Sequence, residues 1–142
     1  MSARVLEALR DSARAVGRTG EPQLAGLDET AAATRALGLV AKAGLTAWTV
    51  PAKWGGAPTQ GLAADDDVSC RAMCALREPL AYHSAMLDVM LVMQGLGSYS
   101  LARSGKEAAC RELLPRVACG ELVAAFGLTE PGAGSDLGLI ST

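Results

Sequence analysis

Residues 80–95 read LAYHSAMLDVMLVMQG, and this stretch limits the fold more than any other. Between Met86 and Met93 only Asp88 is polar. Wound as a helix, Met86, Leu87, Val89, Met90, Leu91, Val92 and Met93 leave no polar face to turn towards water. The run Leu87 to Leu96 is too short to cross a bilayer, which takes about 20 apolar residues. Such a helix has to be enclosed by the rest of its own chain. The methionines either pack as core or line an apolar ligand cavity, since Met adapts to irregular shapes. His83 near the start of this helix reads as a hydrogen-bonded structural group.

The surrounding sequence supplies helices to enclose it. Ala and Leu dominate the 50% hydrophobic content and aromatics reach only 4%, a balance that favours helix. Val5, Leu6, Leu9, Ala13 and Val16 recur at helical spacing and predict a helix over 3–16. Gly17 to Gly26, with Pro22, reads as a break. Asp28 predicts an N-cap for a second helix carrying Ala32, Ala36, Leu39, Val40 and Ala43, with Gly44 as its stop. Leu45 to Val50 is apolar and β-tolerant, and Pro51 to Gly61 reads as a loop. Asp65, Asp66 and Asp67 suit the positive end of a third helix, running through Val68, Met73, Ala75 and Leu76 to Pro79. Pro79 then restarts the chain into the apolar helix, which Gly95 to Ser98 ends. After a short helical turn, Ser104 and Glu107 form a capping-box pattern ahead of a helix to Ala118, bent by Pro115.

With 142 residues the chain suffices for one ordinary domain with a real core. Thirteen basic and fifteen acidic side chains give a net charge of −2 and no basic stripe for nucleic acid or a membrane surface. The Met-Ser-Ala-Arg start lacks the apolar core of a secretory signal. Cys70, Cys74, Cys110 and Cys119 form no Cys-x-x-Cys pair and read as small buried thiols in a reducing compartment, so the expected location is cytoplasmic and no metal site is assigned.

After the Cys119-Gly120-Glu121 turn the pattern changes. Leu122 to Leu128 is a short apolar run without helical periodicity, and it reads as a strand. Glu130-Pro131-Gly132-Ala133 has turn chemistry: Pro131 presets one central position, and Gly132 suits the positive φ of a type II turn. Gly134 lets the backbone approach another group closely, and Thr129 and Ser135 add hydroxyls. Such a loop either cradles an anion or is a tight surface turn. Two phosphate motifs fail: Leu137 stands where a dinucleotide fingerprint needs its third glycine, and no Gly-Lys-Ser/Thr is present.

The stretch Gly127-Leu128-Thr129-Glu130-Pro131-Gly132-Ala133-Gly134-Ser135-Asp136 closely resembles the first signature of the acyl-CoA dehydrogenase family. Two upstream segments agree with it: Leu114-Pro115-Arg116-Val117-Ala118-Cys119-Gly120-Glu121, and the loop Val50-Pro51-Ala52-Lys53-Trp54-Gly55-Gly56. The resemblance spans about residues 45–142, with departures at Leu139, where the signature has a small residue, and Ser141, often basic. It implies a mainly α fold: the family's N-terminal helical domain of five to six helices over 1–120, and the start of a middle β-domain over 121–142, one strand and a Gly-rich loop. It further implies FAD as cofactor and an acyl-CoA thioester as substrate, dehydrogenated between its α and β carbons, with an electron-transfer acceptor and a homo- or hetero-oligomeric assembly. Phe126, Gly127, Leu128, Thr129, Glu130, Pro131, Gly132, Ala133, Gly134 and Ser135 would face the flavin. Thr129 would meet its pyrimidine edge, and Ser135 would lie near the pyrophosphate and the CoA moiety. No acid matches the family's catalytic base, and neither Glu130 nor Asp136 is assigned that role. The sequence thus reads as the N-terminal part of a longer enzyme, inactive alone. The alternative reading is a subunit or remnant of a related flavoenzyme (an acyl-CoA oxidase, carrier-protein acyl dehydrogenase or flavin monooxygenase), or a non-catalytic helical partner of a separate catalytic chain.

Overall fold

The computed structural model describes residues 2–141. Five α-helices carry the fold among them: α1 (Ser2–Leu24), α2 (Glu29–Lys42), α3 (Cys70–His83), α4 (Ala85–Arg103) and α5 (Glu107–Ala118). Short 3-10 turns occupy Thr46–Thr49, Ala52–Trp54 and Leu137–Leu139. The mainly α fold expected from the sequence is what forms.

α4 is the hub, packing against α1, α2, α3, α5 and the Thr46–Thr49 turn. Leu87 and Leu91 have no exposed surface and join Leu6, Leu9, Ala36, Val40, Leu76 and Leu80 in the main core. Met73, Met86 and Met90 pack on the edge of that core. By length and composition alone α4 could cross a membrane; here it packs against the four other helices, with Leu87 and Leu91 buried and Val89, Leu96 and Tyr99 exposed. A second cluster, Val50, Trp54, Cys110, Leu114, Val117 and Ala118, lies between α5 and the loop after α2.

Several helix ends differ from expectation. α1 continues through Gly17, Gly20 and Pro22, because the two glycines lie on its buried stripe with Leu6, Leu9 and Ala13. His83 packs over Gly17, and a Cβ on Gly20 would stand 3.2 Å from both Leu39 and Leu87. Close helix crossing outweighs the cost of a helical glycine, about 1 kcal/mol. The acidic triplet does not open α3. Ser69 does, its hydroxyl accepting from the Ala72 N–H at 3.2 Å. Pro79 does not end it either: Ala72, Ala75, Leu76, Pro79 and Leu80 are all buried, which holds the helix through the proline. The turn comes at Ser84, extended at φ −157°. The expected break at Gly95–Ser98 is absent, since those small residues receive neighbouring segments. The capping box is not formed, because Ser104 closes α4 by donating to the Leu101 carbonyl at 2.7 Å.

Other local expectations hold. The Asp28 carboxylate accepts from the Ala31 N–H at 2.9 Å, and Gly44 follows α2 with φ +71°. The β-tolerant run Leu45–Val50 differs: Thr46–Thr49 forms a 3-10 turn in which Thr46 and Thr49 are fully buried. The Thr46 hydroxyl donates to the Ala118 carbonyl at 2.7 Å, tying the turn to the end of α5. Of the four thiols only Cys110 is buried; Cys70, Cys74 and Cys119 are exposed, against the expectation of buried thiols. Cys70 and Cys74 lie on the face of α3 opposite its buried stripe.

Leu122–Leu128 forms no strand. It has no regular secondary structure and joins no ladder, and an isolated bridge between Glu130 and Ala133 is the β pairing among the described residues. A lone run with no neighbouring strand cannot make a sheet.

Candidate functional site

α3 and α4 meet at Ser84 and enclose between them a groove of about 690 Å³. Val68, Cys70, Met73, Cys74 and Arg77 line one wall, from just before α3 to its middle. Val92, Gly95, Leu96 and Tyr99 of α4 line the other, and Phe126 reaches in from the terminal segment. The wall is mostly carbon and sulfur. Its spacing on α3, Cys70, Met73, Cys74 and Arg77, is itself a helical stripe, so the signal was present in the sequence. The buried stripe one face round is the stronger pattern and hides it.

Arg77 and Asp88 stand at one end. Arg77 donates through Nε to Asp88 Oδ1 at 2.7 Å and through a terminal nitrogen to Oδ2 at 2.8 Å. This fork-to-fork pair bridges α3 to α4, and the Asp88 side chain is only 13% exposed. The hydrogen bond to Asp88 holds the guanidinium above its ordinary range, burial works against it, and the Asp88 charge adds to the rise. At the far side of α3, His83 Nδ1 lies 3.5 Å from the Glu21 carboxylate, and its ring meets Tyr82 edge-on.

The terminal segment brings one of its expected flavin-facing residues, Phe126, to the groove. Gly127, Leu128 and Thr129 continue as exposed chain without regular secondary structure. The Thr129 hydroxyl and N–H engage no other group among the described residues. Glu130 to Ala133 does turn: Ala133 N–H donates to the Glu130 carbonyl at 3.1 Å, and Glu130 N–H to the Ala133 carbonyl at 2.9 Å. Gly132 does not take positive φ, so the turn is not type II. Proline at the first central position suits type I equally well, with no demand on the next residue. Ala133 is buried, while Pro131, Gly132, Gly134 and Ser135 are exposed. The Glu130 carboxylate accepts from the Ser141 N–H and hydroxyl, each at 3.0 Å. Asp136 accepts from the Gly138 N–H at 3.0 Å. Both acids therefore serve the local backbone.

The loop Val50–Gly56 explains its own sequence. Gly55, at φ +90°, caps the 3-10 turn by donating to the Ala52 carbonyl, with its Cα against Pro115. A side chain on Gly56 would fall on the Val50 carbonyl.

Comparison with known proteins agrees with this geometry. The sequence profile described as "Acyl-CoA dehydrogenase, N-terminal domain" matches residues 5–121. Cyclohexane-1-carbonyl-CoA dehydrogenase of Geobacter metallireducens is 33% identical over 140 residues, 97% of this chain and 34% of that protein. Glutaryl-CoA dehydrogenase of Desulfococcus multivorans is 33% identical over 94 residues, 66% of this chain and 22% of that protein. A probable acyl-CoA dehydrogenase of Bacillus subtilis is 48% identical over 42 residues, 30% of this chain and 7% of that protein. The chain spans about a third of the length of the first of these relatives, and less of the others. With a helical bundle of this architecture and a profile match over most of its length, the chain belongs to the acyl-CoA dehydrogenase family, as an N-terminal domain of that family.

Proposed function

We propose that the chain is the N-terminal portion of an FAD-dependent acyl-CoA dehydrogenase, and that the α3–α4 groove receives the apolar acyl part of the thioester. One observation carries this reading: Phe126, the first residue of the segment expected to face the flavin, is also a wall of the groove. An acyl chain lying there would have its reacting carbons beside that segment. Val68, Met73, Val92, Leu96 and Tyr99 would exclude water from it.

The residues fit a flavin at the exposed edge of residues 127–129. The Thr129 hydroxyl and N–H are unspent donors on open backbone, aimed at no partner of their own. Preorganised donors of this kind stabilise negative charge that develops on a bound aromatic ring. When bound, FAD supplies the two-electron acceptor for α,β-dehydrogenation. Thr129 would orient its pyrimidine edge, and Ser135, exposed at the end of the turn, would lie near its pyrophosphate and the CoA moiety. Glu130, Pro131 and Ala133 hold the turn that separates these two contacts.

Asp67 and Glu78 also line the groove, and neither matches the family's catalytic base, so this chain by itself is proposed to bind and not to turn over. The complete enzyme would be cytoplasmic, oligomeric, and reoxidised by an electron-transfer acceptor. Titrating the chain with FAD tests the cofactor assignment. The expected result is a saturable change in the flavin visible spectrum that Thr129→Val weakens about tenfold, the worth of one strong hydrogen bond. An unchanged free-FAD spectrum, or equal binding by the variant, would overturn the role of Thr129.

A further inference from the structure

Gln94 is a fully buried amide midway along α4. All its hydrogen-bonding groups are used, and all reach outside its own helix. Nε2 donates to the Val117 carbonyl at 3.2 Å and to the Leu122 carbonyl at 2.9 Å. Oε1 accepts from the Ala124 N–H at 2.6 Å. An acceptor from residue 122 and a donor from residue 124 are what one residue of a parallel strand engages, bridging the two neighbours of the residue it faces. The side-chain amide stands in for a strand at that one position. This gives the segment a partner where it has no sheet.

Gly97, one turn further on, completes the seat. A Cβ there would stand 2.7 Å from the Ala125 carbonyl oxygen and 2.9 Å from the Ala124 Cβ. The segment alternates from this point. Leu122 and Ala124 are half-buried against the second cluster, while Val123 is 64% exposed. Phe126, two residues further on, lines the groove and keeps 40% of its surface exposed. A slip of one residue would exchange the two faces and put Ala125 or Gly127 where Phe126 now stands.

We propose that Gln94, seated with Gly97, is a positioning residue: it sets the register of residues 122–126 on α4 and thereby holds Phe126 as a wall of the groove. The proposal rests on the functional reading only in taking that groove as the acyl site. Neither Gln94 nor Gly97 touches the groove ligand in this account, and both act through Phe126.

Phe126 is the single phenylalanine of the chain, so selective labelling gives one ring signal to follow by NMR. Gln94→Met keeps the side chain's length and removes its amide. Ala124→Pro removes the donor from the segment side and leaves α4 untouched. The wild-type chain is expected to show a protected Ala124 amide and nuclear Overhauser contacts from the Phe126 ring to Val92 and Leu96 methyls. In Gln94→Met the Ala124 amide is expected to exchange at least about tenfold faster, and in both variants the Phe126 contacts are lost. Amides of α1 and α3 should keep their protection, which separates a lost register from a lost fold. Retention of the Phe126 contacts in both variants would overturn the proposal, as would an unprotected Ala124 amide in the wild type. None of these signals needs a flavin, so failure to bind FAD would count against the functional reading and not against this one.

Discussion

Single residues hold the bends of this fold, and their tolerance to change follows from what they touch. Gly56 has no space for a side chain because the Val50 carbonyl lies where a Cβ would go. Gly56→Ala must shift backbone, and chemical denaturation is expected to show a loss of about 2 kcal/mol or more. Asp88 is held in a two-point pair with Arg77, mostly out of solvent. Asp88→Asn keeps the shape and removes the charge, leaving Arg77 43% exposed and able to turn to water. The expected loss is about 1–2 kcal/mol, measured in the same way, and below the cost of breaking a fully buried pair. The raised state of Arg77 adds no pH dependence near neutrality. A cation whose folded value is raised contributes fully below its unfolded value, and its contribution fades only in strong alkali.

At the scale of elements, the joints are made by hydroxyls and amides that sequence patterns do not rank. The Thr46 hydroxyl carries the link from the 3-10 turn to the last carbonyl of α5. Thr46→Val keeps the shape and leaves that buried carbonyl unpaired, so a loss of about 1–3 kcal/mol is expected, with hydrogen exchange speeding up first at the end of α5. Glycine is where reading the sequence and seeing the structure part company. Gly17, Gly20, Gly95 and Gly97 all signal a break by propensity, yet all four lie inside helices, and at Gly17, Gly20 and Gly97 the small size admits His83, Leu87 and the backbone of residue 125. Which meaning applies depends on a neighbour distant in sequence, and local pattern carries no record of it. Asp28 was legible because its partner is three residues away. Ser104 was misleading because its hydroxyl had a nearer carbonyl to serve, that of Leu101. The apolar run in α4 was half legible: Leu87 and Leu91 are buried in the core as expected, while Val89 and Leu96, expected to be enclosed, are exposed.

At the scale of the whole molecule the feature that bears on function is the apolar groove between α3 and α4. Its α3 wall, Cys70, Met73 and Cys74, was visible in the sequence as types without a purpose, and the thiols were expected to be buried. Placing them on a groove took the turn at Ser84 and the seating of Phe126, both tertiary facts. The terminal signature was legible as a family resemblance, while its apolar run pairs with α4 through one side chain where a strand was expected. A further expectation belongs at this scale: mixed with FAD and an acyl-CoA in the absence of oxygen, the chain should not bleach the flavin, because none of its acids is assigned as the base for the α-proton. Bleaching at an enzymic rate would show that a residue of this chain fills that role.

The groove assignment is tested most directly by thiol footprinting. Cys70 and Cys74 line the groove, while Cys119 is exposed away from it and serves as an internal control. Alkylation of each thiol is followed by mass spectrometry with a medium-chain acyl-CoA, with free CoA, and with neither. Slower labelling of Cys70 and Cys74 with the acyl-CoA alone, at an unchanged rate for Cys119, is the predicted result. Unchanged rates at all three thiols, or equal protection by free CoA, would contradict the acyl groove.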